Sequence, residues 1–315
     1  MILEDYRFHE GPVPEGYQRG AAPAIFNTPQ HLVLQAVEGW HSFHALNEKH
    51  RIVVAAVHFH LAGGEARSPL KSPFGSVELA PGVSPLMVFK FLEFVESRLK
   101  SRGAQRIRIK HYPSDYNSAD SALLHTFLIN LGYGVAEAEA GALIAVTDGP
   151  FESTLDSWER RKLRQAAASG LQGRELPRAE LKAVYEFIHA CREQKGYELS
   201  MSLPDIQDAA RTFEKEFILF GVFHEDRLVA ASIAIRVSSG VLYNFYAAHD
   251  AGYDALSPVV FLIDRLHAYC RQHSIALLDL GTSAIDGKPN FGLLDFKLRL
   301  GARLTTKFTF EKILA

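Results

Sequence analysis

The feature of this sequence that most restricts its fold is an internal similarity between two segments about 175 residues apart. FHALNEKHRIVVAAVHFHLAGG (43–64) and FGVFHEDRLVAASIAIRVSSG (220–240) each contain an extended apolar run, a polar turn, a second and longer apolar run, and a terminal glycine. Extended runs separated by a short polar turn are typical of β-hairpins. The sequence therefore predicts one hairpin in each half of the chain.

The segments that follow the two hairpins also match. Ser-Pro opens an apolar, helix-like stretch at 84–103 and again at 257–274, with serine suited to the N-cap and proline to the first helical position. A strand-like segment comes next, at 106–112 and 276–282. A helix then ends in FLINLG (127–132) or FKLRLG (296–301), where glycine suits the left-handed position after a helix. Each half ends with a further strand.

This order predicts a tandem duplication of one α/β (α+β) unit, in which a mixed, mostly antiparallel sheet is flanked by helices. The alternative is two unrelated α/β halves that share common helix start and stop signals. The chain has 315 residues, which also favours two domains. Gly and Pro interrupt the pattern near 147–152, so the predicted domains are residues 1–150 and 151–315.

The charge balance and the cysteine content exclude several classes of protein. There are 34 basic and 36 acidic residues, and this net charge of −2 provides no overall field for DNA or an anionic membrane. The two cysteines lack metal-binding spacing, which fits a reduced cytoplasmic protein. The first ten residues lack a long apolar core, and no apolar run is long enough for membrane insertion.

One lysine stands out in NFGLLDFKLRLGA (290–302). Asp295 and Arg299 are four residues apart and can form an ion pair on a solvated helix face, whereas Lys297 has no such partner. Its helical neighbours are Leu293, Leu294, Leu300 and Gly301. Two interpretations remain open: the ammonium reaches solvent along the apolar helix surface, or it points into a cavity that requires positive charge.

Three segments give the chain a resemblance to a known fold family. They are SPLKSPFGS (68–76), RRKLRQAAASG (160–170) and DLGTSAIDGKPNFGLLDFKLRLGA (279–302). Together with the order of elements, they resemble the GNAT acyltransferase fold, and more closely the tandem-GNAT proteins of the Fem-type (FemAB-like) group. The resemblance implies two GNAT-like domains and transfer of an acyl or aminoacyl group to an amine acceptor. It also implies that Phe296 and Lys297 lie at the transfer site, beside the donor channel.

The candidate catalytic residues follow from the chemistry of acyl transfer. Attack of an amine on an acyl carbonyl creates a tetrahedral oxyanion, which the Lys297 ammonium can stabilise in a dry site. Asp279 ends a predicted buried strand and can orient the amine or accept its proton, but it can equally bond the amides of the GTSAIDG loop. Tyr246 is either a general acid, as the GNAT resemblance implies, or an ordinary core tyrosine. Tyr243 lies three residues away on the same strand, so only one of the two is expected to face the cleft.

The segment HDAGYDALSP (249–258) occupies the position of the phosphate-binding loop of coenzyme A-dependent GNAT enzymes, but it has a single glycine and no basic start. Gly252 and the amides from Ser257 to Val259 can still form a small anion site. Arg161 and Arg164, from a basic cluster at 160–164, can contact donor phosphates or simply form a solvated helix face. The sequence therefore leaves both acyl-CoA and aminoacyl-tRNA open as donor.

The sequence predicts no metal site. His267, Cys270 and His273 are spaced so that the two histidines diverge by roughly 120° around one helix, and three ligands would not converge. A second hypothesis for the whole chain is a non-catalytic binding protein that keeps the GNAT fold but has lost the cofactor loop, since a fold alone does not establish an activity.

Overall fold

The computed structural model of the protein describes residues 5–285 and 287–314. These residues form two compact units. The first lies within 1–139 and 306–315, and the second within 140–305. These limits differ from the predicted boundary near residue 150, because residues 140–150 belong to the second unit and the last strand of the chain lies mostly in the first.

The elements of the first half of the chain are β1 (Tyr6–Glu10), β2 (Gln18–Arg19), α1 (Pro29–Gln35), β3 (Trp40–Asn47), β4 (Ile52–Ala62), β5 (Glu65–Ser68), β6 (Glu78–Leu79), α2 (Pro85–Ser101), β7 (Arg106–Lys110), α3 (Ser118–Asn130) and β8 (Gly134–Ala145). The second half contains α4 (Ser157–Ala168), β9 (Leu171–Leu176), α5 (Leu181–Glu193), α6 (Leu203–Thr212), β10 (Phe217–His224), β11 (Arg227–Ser238), β12 (Val241–His249), α7 (Pro258–Gln272), β13 (Leu277–Thr282), β14 (Ala284–Ile285), β15 (Lys288–Pro289), α8 (Phe291–Arg299) and β16 (Arg303–Ile313).

The strand order of the two units is the same. In the first unit it is β1-β3-β4-β5-β7-β16, and in the second it is β9-β10-β11-β12-β13-β8. Along each of these orders one neighbouring pair is parallel, β5 with β7 and β12 with β13, and the others are antiparallel. Outside the order of the first unit, the short strand β2 also pairs with β4 in parallel. The predicted duplication of a mixed, mostly antiparallel sheet is therefore confirmed.

The final strand of each unit comes from the other half of the chain. β8 follows α3 in the sequence, yet it pairs with β13 of the second unit. β16 follows α8, yet it pairs with β7 of the first unit. The sequence predicted a last strand for each copy but not this exchange, because strand pairing depends on contacts far apart in the chain.

The predicted helix start and stop signals are found, with one difference. α2 and α7 both begin with proline, but neither Ser84 nor Ser257 caps its helix through the side chain. Gly132 (φ +87°) and Gly301 (φ +79°) both adopt the left-handed conformation expected after a helix. At Gly301 an added Cβ would also overlap the Thr154 carbonyl oxygen, so glycine is required there for space as well as for backbone conformation.

Helices cover both faces of the sheet in the second unit. α4 and α7 pack on one face, in a core that includes Ala230 and Ala234 of β11. Successive strand residues point to opposite faces, so Ala231, Ile233 and Ile235 of β11 are buried on the other face. α5 packs against β11 and β12 without contributing to the first core, which places it on that second face.

Candidate active site

A cavity of about 860 Å³ lies within the second unit, where β12 and β13 separate. The register pairs these parallel strands only over Val241–Tyr243 and Leu277–Asp279. Beyond that point the residues 243–249 of β12 and 280–282 of β13 line the two sides of the cavity. The start of α7, the inner face of α8 and the end of α5 complete the lining. The gap opens between two strands whose backbone groups are no longer paired with each other, which makes room for a ligand.

A β-bulge in β12 brings two tyrosines to this cavity. Ile233 of β11 lies opposite Tyr246 and Ile235 lies opposite Tyr243, so two steps along β11 match three steps along β12. The extra residue cancels the alternation that would otherwise place Tyr243 and Tyr246 on opposite faces. Both tyrosines line the cavity, and the expectation that only one could face it was wrong.

The Tyr246 hydroxyl lies in a network at the α5 side of the cavity. It accepts a hydrogen bond from the Met201 amide (2.9 Å) and shares one with the Ser200 hydroxyl (2.6 Å). Burial raises the pKa of Tyr246, an effect that these hydrogen bonds and the Arg192 guanidinium partly oppose. The phenol therefore stays protonated at neutral pH, as a general acid must.

Lys297 lies on the inner face of α8 and lines the cavity. Its side chain is only 5% exposed, and Nζ donates to the carbonyl oxygens of Gly281 and Thr282, both at 2.9 Å. Burial lowers the pKa of the ammonium to about 8, while the Asp279 carboxylate acts in the opposite direction. Lys297 is thus mostly protonated at neutral pH, and two of its three N–H groups are used by the protein. The interpretation in which this side chain reaches solvent was wrong.

The first unit shows that the fold itself does not need a lysine at this position. FLINLG of α3 matches FKLRLG of α8, which places Leu128 at the position of Lys297. Leu128 is 1% exposed and lies in the hydrophobic core of its unit. The same position in the same architecture can therefore be filled by an apolar residue, so the buried charge of Lys297 calls for another explanation.

Asp279 supports this site from behind and does not line the cavity. It is 3% exposed, and its Oδ1 accepts a short hydrogen bond (2.6 Å) from the Gly281 amide. Gly281 adopts φ +76°, so the chain turns here and presents its carbonyl oxygen to Lys297. This geometry favours the loop-bonding interpretation of Asp279. The remainder of the predicted GTSAIDG contact includes residue 286, which lies outside the described residues.

Three of the six residues predicted to bind the donor line the cavity, whereas Gly252, Arg161 and Arg164 do not. Phe296, Ser257 and Val259 are lining residues. The amides of the first helical turn have no partner within the helix, so those of Val259 and Val260 are available to an anion. The Gly252 amide, in contrast, donates to the Asp250 carboxylate (2.9 Å), and Gly252 does not line the cavity.

The basic cluster of α4 is divided between structural and cavity positions. Arg164 pairs with Glu152 (2.6 Å), and the Arg161 guanidinium lies over the ring of Trp158. Neither arginine lines the cavity. Lys162 does line it. The predicted Asp295–Arg299 pair is also replaced, because Arg299 bonds to the fully buried Glu159 (3.2 Å).

The end of α5 provides residues that the sequence interpretation missed: Arg192, Lys195 and Tyr197 line the cavity. Burial lowers the pKa of Arg192. Its contacts in the described part of the chain are the Tyr246 ring and a long bond (3.5 Å) to the Ala247 carbonyl oxygen, with no carboxylate. Such a guanidinium can bind an anionic substrate group. In the sequence, CREQKGY (191–197) has the pattern of an ordinary solvated helix end. It lines the cavity only because α5 packs against β11 and β12 of the sheet.

Two further properties concern metals and membranes. Over residues 5–285 and 287–314, no group of three or more His, Cys, Asp or Glu side chains is arranged to hold a metal ion. Within the same ranges, none of the helices combines the length and apolar character needed to cross a bilayer.

Comparison with known proteins finds a family similarity in the second half of the chain. Residues 155–297 match the family described as Acetyltransferase (GNAT) domain. Among curated proteins, none matches this sequence.

Three solved structures resemble the chain over most of its length. FemX has 14% sequence identity and a TM-score of 0.69, with 94% of each chain covered. A tandem GNAT protein from the clavulanic acid biosynthesis pathway has 9% identity and a TM-score of 0.52, with 98% of each covered. The C-terminal domain of a putative lysylphosphatidylglycerol synthetase from Agrobacterium fabrum has 12% identity and a TM-score of 0.56, covering 82% of this chain and 80% of that one. Residues 155–297 are therefore similar to an acetyltransferase (GNAT) domain, and the chain as a whole shares the tandem GNAT fold of these structures.

Proposed function

We propose that this protein is an acyl or aminoacyl transferase that moves an acyl group from an activated donor to an amine, in the cavity of its second unit. The observation that supports this most directly is Lys297. It is a buried ammonium held by two backbone carbonyls, with one N–H left for a ligand, at a position where the first unit has leucine.

Lys297 serves the reaction by stabilising the oxyanion. The amine of the acceptor attacks the acyl carbonyl carbon, and the carbonyl oxygen takes the negative charge. An ammonium that is already oriented by the Gly281 and Thr282 carbonyls needs no rearrangement when this charge forms. The low exposure of the site makes the interaction stronger than it would be in water.

A tyrosine completes the transfer by donating a proton to the leaving group. Tyr246 and Tyr243 both line the cavity, and burial keeps the Tyr246 hydroxyl protonated. When the tetrahedral intermediate collapses, the bond to the leaving sulfur or oxygen breaks and the phenol proton neutralises that atom. The resulting phenolate then takes the proton that the attacking amine loses, which restores the tyrosine. Asp279 acts as a positioning residue, because it shapes the turn that holds Lys297 and does not reach the cavity.

The donor binds at the α7 end of the cavity. The amides of Val259 and Val260 and the Lys162 ammonium can hold a phosphate there, and Phe296 borders the path to Lys297. Acyl-CoA and aminoacyl-tRNA both carry phosphates, so this end suits either donor. The two amides and one ammonium form a smaller anion site than a glycine-rich loop provides.

The proposal is tested by transfer of a labelled acyl group. Purified protein is incubated with labelled acyl-CoA or aminoacyl-tRNA and a panel of amines, and labelled amide is measured. We expect Lys297→Met to lower kcat by about 10²- to 10³-fold, the usual effect of losing one oxyanion donor. Lys288→Met, which removes an exposed lysine of β15, is the matched control and should keep full activity. Equal turnover by Lys297→Met and the parent would disprove the mechanism.

A second candidate function is a binding protein without catalysis. The engagement of the Gly252 amide by Asp250 favours it, because this leaves the donor site with fewer free amides. A bound ligand raises the melting temperature by linkage. A donor that raises Tm but gives no labelled amide with any amine would support the binding function over the transferase.

A further inference from the structure

An exposed tryptophan lies beside the donor end of the cavity. Trp158 is in the first turn of α4, and its side chain is 53% exposed. The Arg161 guanidinium lies 5.1 Å from the ring centroid, and the Lys162 ammonium lies 5.6 Å from it. Because Lys162 also lines the cavity, the indole ring is one side chain away from the proposed phosphate site.

The two cations on Trp158 differ from the rest of the basic cluster. Arg160 donates to the carbonyl oxygens of Glu152 and Leu155, and Arg164 pairs with the Glu152 carboxylate, so both stabilise the loop before α4. For Arg161, the described residues provide the indole contact and no carboxylate.

The other cation, Lys162, has only a share of a carboxylate. It pairs with Glu159 (3.2 Å), and the same carboxylate oxygen also pairs with Arg299 (3.2 Å). One negative charge is thus divided between two cations, so the charge of Lys162 is only partly compensated by Glu159.

We propose that Trp158 is a stacking platform for the base of a purine nucleotide, whose phosphate is bound by Arg161 and Lys162. Bases stack on exposed aromatic rings, and neighbouring cations bind the attached phosphates. The inference rests on the proposed function in one respect, namely that the nucleotide is the terminal adenosine of the acyl donor. Acyl-CoA and aminoacyl-tRNA share this group, so Trp158 would recognise the feature common to both.

Tryptophan fluorescence tests this directly, because the chain has only two tryptophans. The Trp40→Phe variant leaves Trp158 as the only tryptophan reporter. We expect adenosine 3′,5′-bisphosphate to quench it to saturation. Calorimetry should show the same Kd for Trp40→Phe and the parent, and a Kd about 5- to 150-fold higher for Trp158→Leu, the range for losing one stacked base. Arg161→Gln should also weaken binding. An unchanged Kd in Trp158→Leu, or equally tight binding of uridine 5′-diphosphate, would overturn the proposal.

Two further comparisons identify the source of the nucleotide. Binding of coenzyme A is compared with its fragment that lacks the adenosine bisphosphate, and deacylated tRNA is compared with tRNA that lacks its terminal adenosine. If Trp158 recognises a donor, removing the adenosine from that donor should weaken its binding to the parent protein but not to Trp158→Leu. If neither truncation changes the affinity for the parent protein, Trp158 does not bind the adenosine of the donor, and the proposal fails. These binding measurements need no acceptor and no turnover, so they should give the same result in Lys297→Met. They therefore distinguish a failure of the stacking proposal from a failure of the proposed transfer reaction.

Discussion

Replacing Lys297 with methionine should leave the fold intact and even stabilise it, while removing transfer activity. Methionine has nearly the length of lysine, fits between α8 and β13, and carries no charge. The corresponding Leu128 of the first unit shows that an apolar residue suits this position. A lysine kept for structure would show the opposite result, since its loss would leave the Gly281 and Thr282 carbonyl oxygens without their donor.

The expected change in folding stability follows from the pKa of Lys297. Burial lowers it from 10.5 to about 8, which corresponds to about 3 kcal/mol of unfavourable charge burial at neutral pH. Loss of the donor to two carbonyl oxygens costs about 1–3 kcal/mol. These terms oppose each other, so Lys297→Met should be as stable as the parent at pH 7 or more stable by up to about 2 kcal/mol.

The dependence on pH separates the two terms. Below pH 8 the parent bears the full cost of the buried charge. Between pH 8 and 10.5 the folded protein loses the proton more readily than the unfolded chain, so the parent gains up to about 1.4 kcal/mol per pH unit relative to the variant. Urea unfolding of both proteins in the Trp40→Phe background, followed through Trp158, measures this in the second unit. A variant less stable by more than 2 kcal/mol at both pH 7 and pH 10 would refute the reasoning and make Lys297 a structural residue.

Three other predictions test the site and the fold. Transfer to an amine acceptor whose own pKa is below 6 should fall about tenfold per pH unit above pH 8, as Lys297 loses its proton, and a flat rate profile would contradict an ammonium role. Gly301→Ala should lower the free energy of unfolding by about 3 kcal/mol, because the cost of a left-handed backbone adds to the overlap of the new Cβ with the Thr154 carbonyl oxygen. Gly132→Ala has the same backbone cost but its Cβ meets only the flexible Lys312 side chain, so it should lower the free energy of unfolding by about 1 kcal/mol. Burial lowers the pKa of His44 to about 4 and that of His58 to about 3, so at pH 5 these side chains bind protons in the unfolded chain but not in the folded protein. Each histidine should therefore lower the free energy of unfolding by up to about 2 kcal/mol at pH 5 relative to pH 7. A variant with leucine at both positions should lose less stability over the same pH range.

Part of the cavity lining was predictable from the sequence. Lys297 was conspicuous as an unpaired cation among leucines, and Phe296, Ser257 and Val259 follow from the repeated pattern and the GNAT resemblance. Their exact chemical roles stay predictions. Arg192 could not be predicted, because nothing in its own segment shows that α5 ends beside β12.

Local sequence patterns were enough to predict the repeated elements: the hairpins, the proline starts of α2 and α7, and the glycine ends of α3 and α8. Each of these depends on residues within a few positions of one another. None of these local patterns predicts the exchange of β8 and β16, the bulge that turns Tyr243 and Tyr246 to one cavity, or the pairing of Arg299 with Glu159. These features require two distant segments to meet, and a helix or strand pattern contains no information about which segment its neighbour will be.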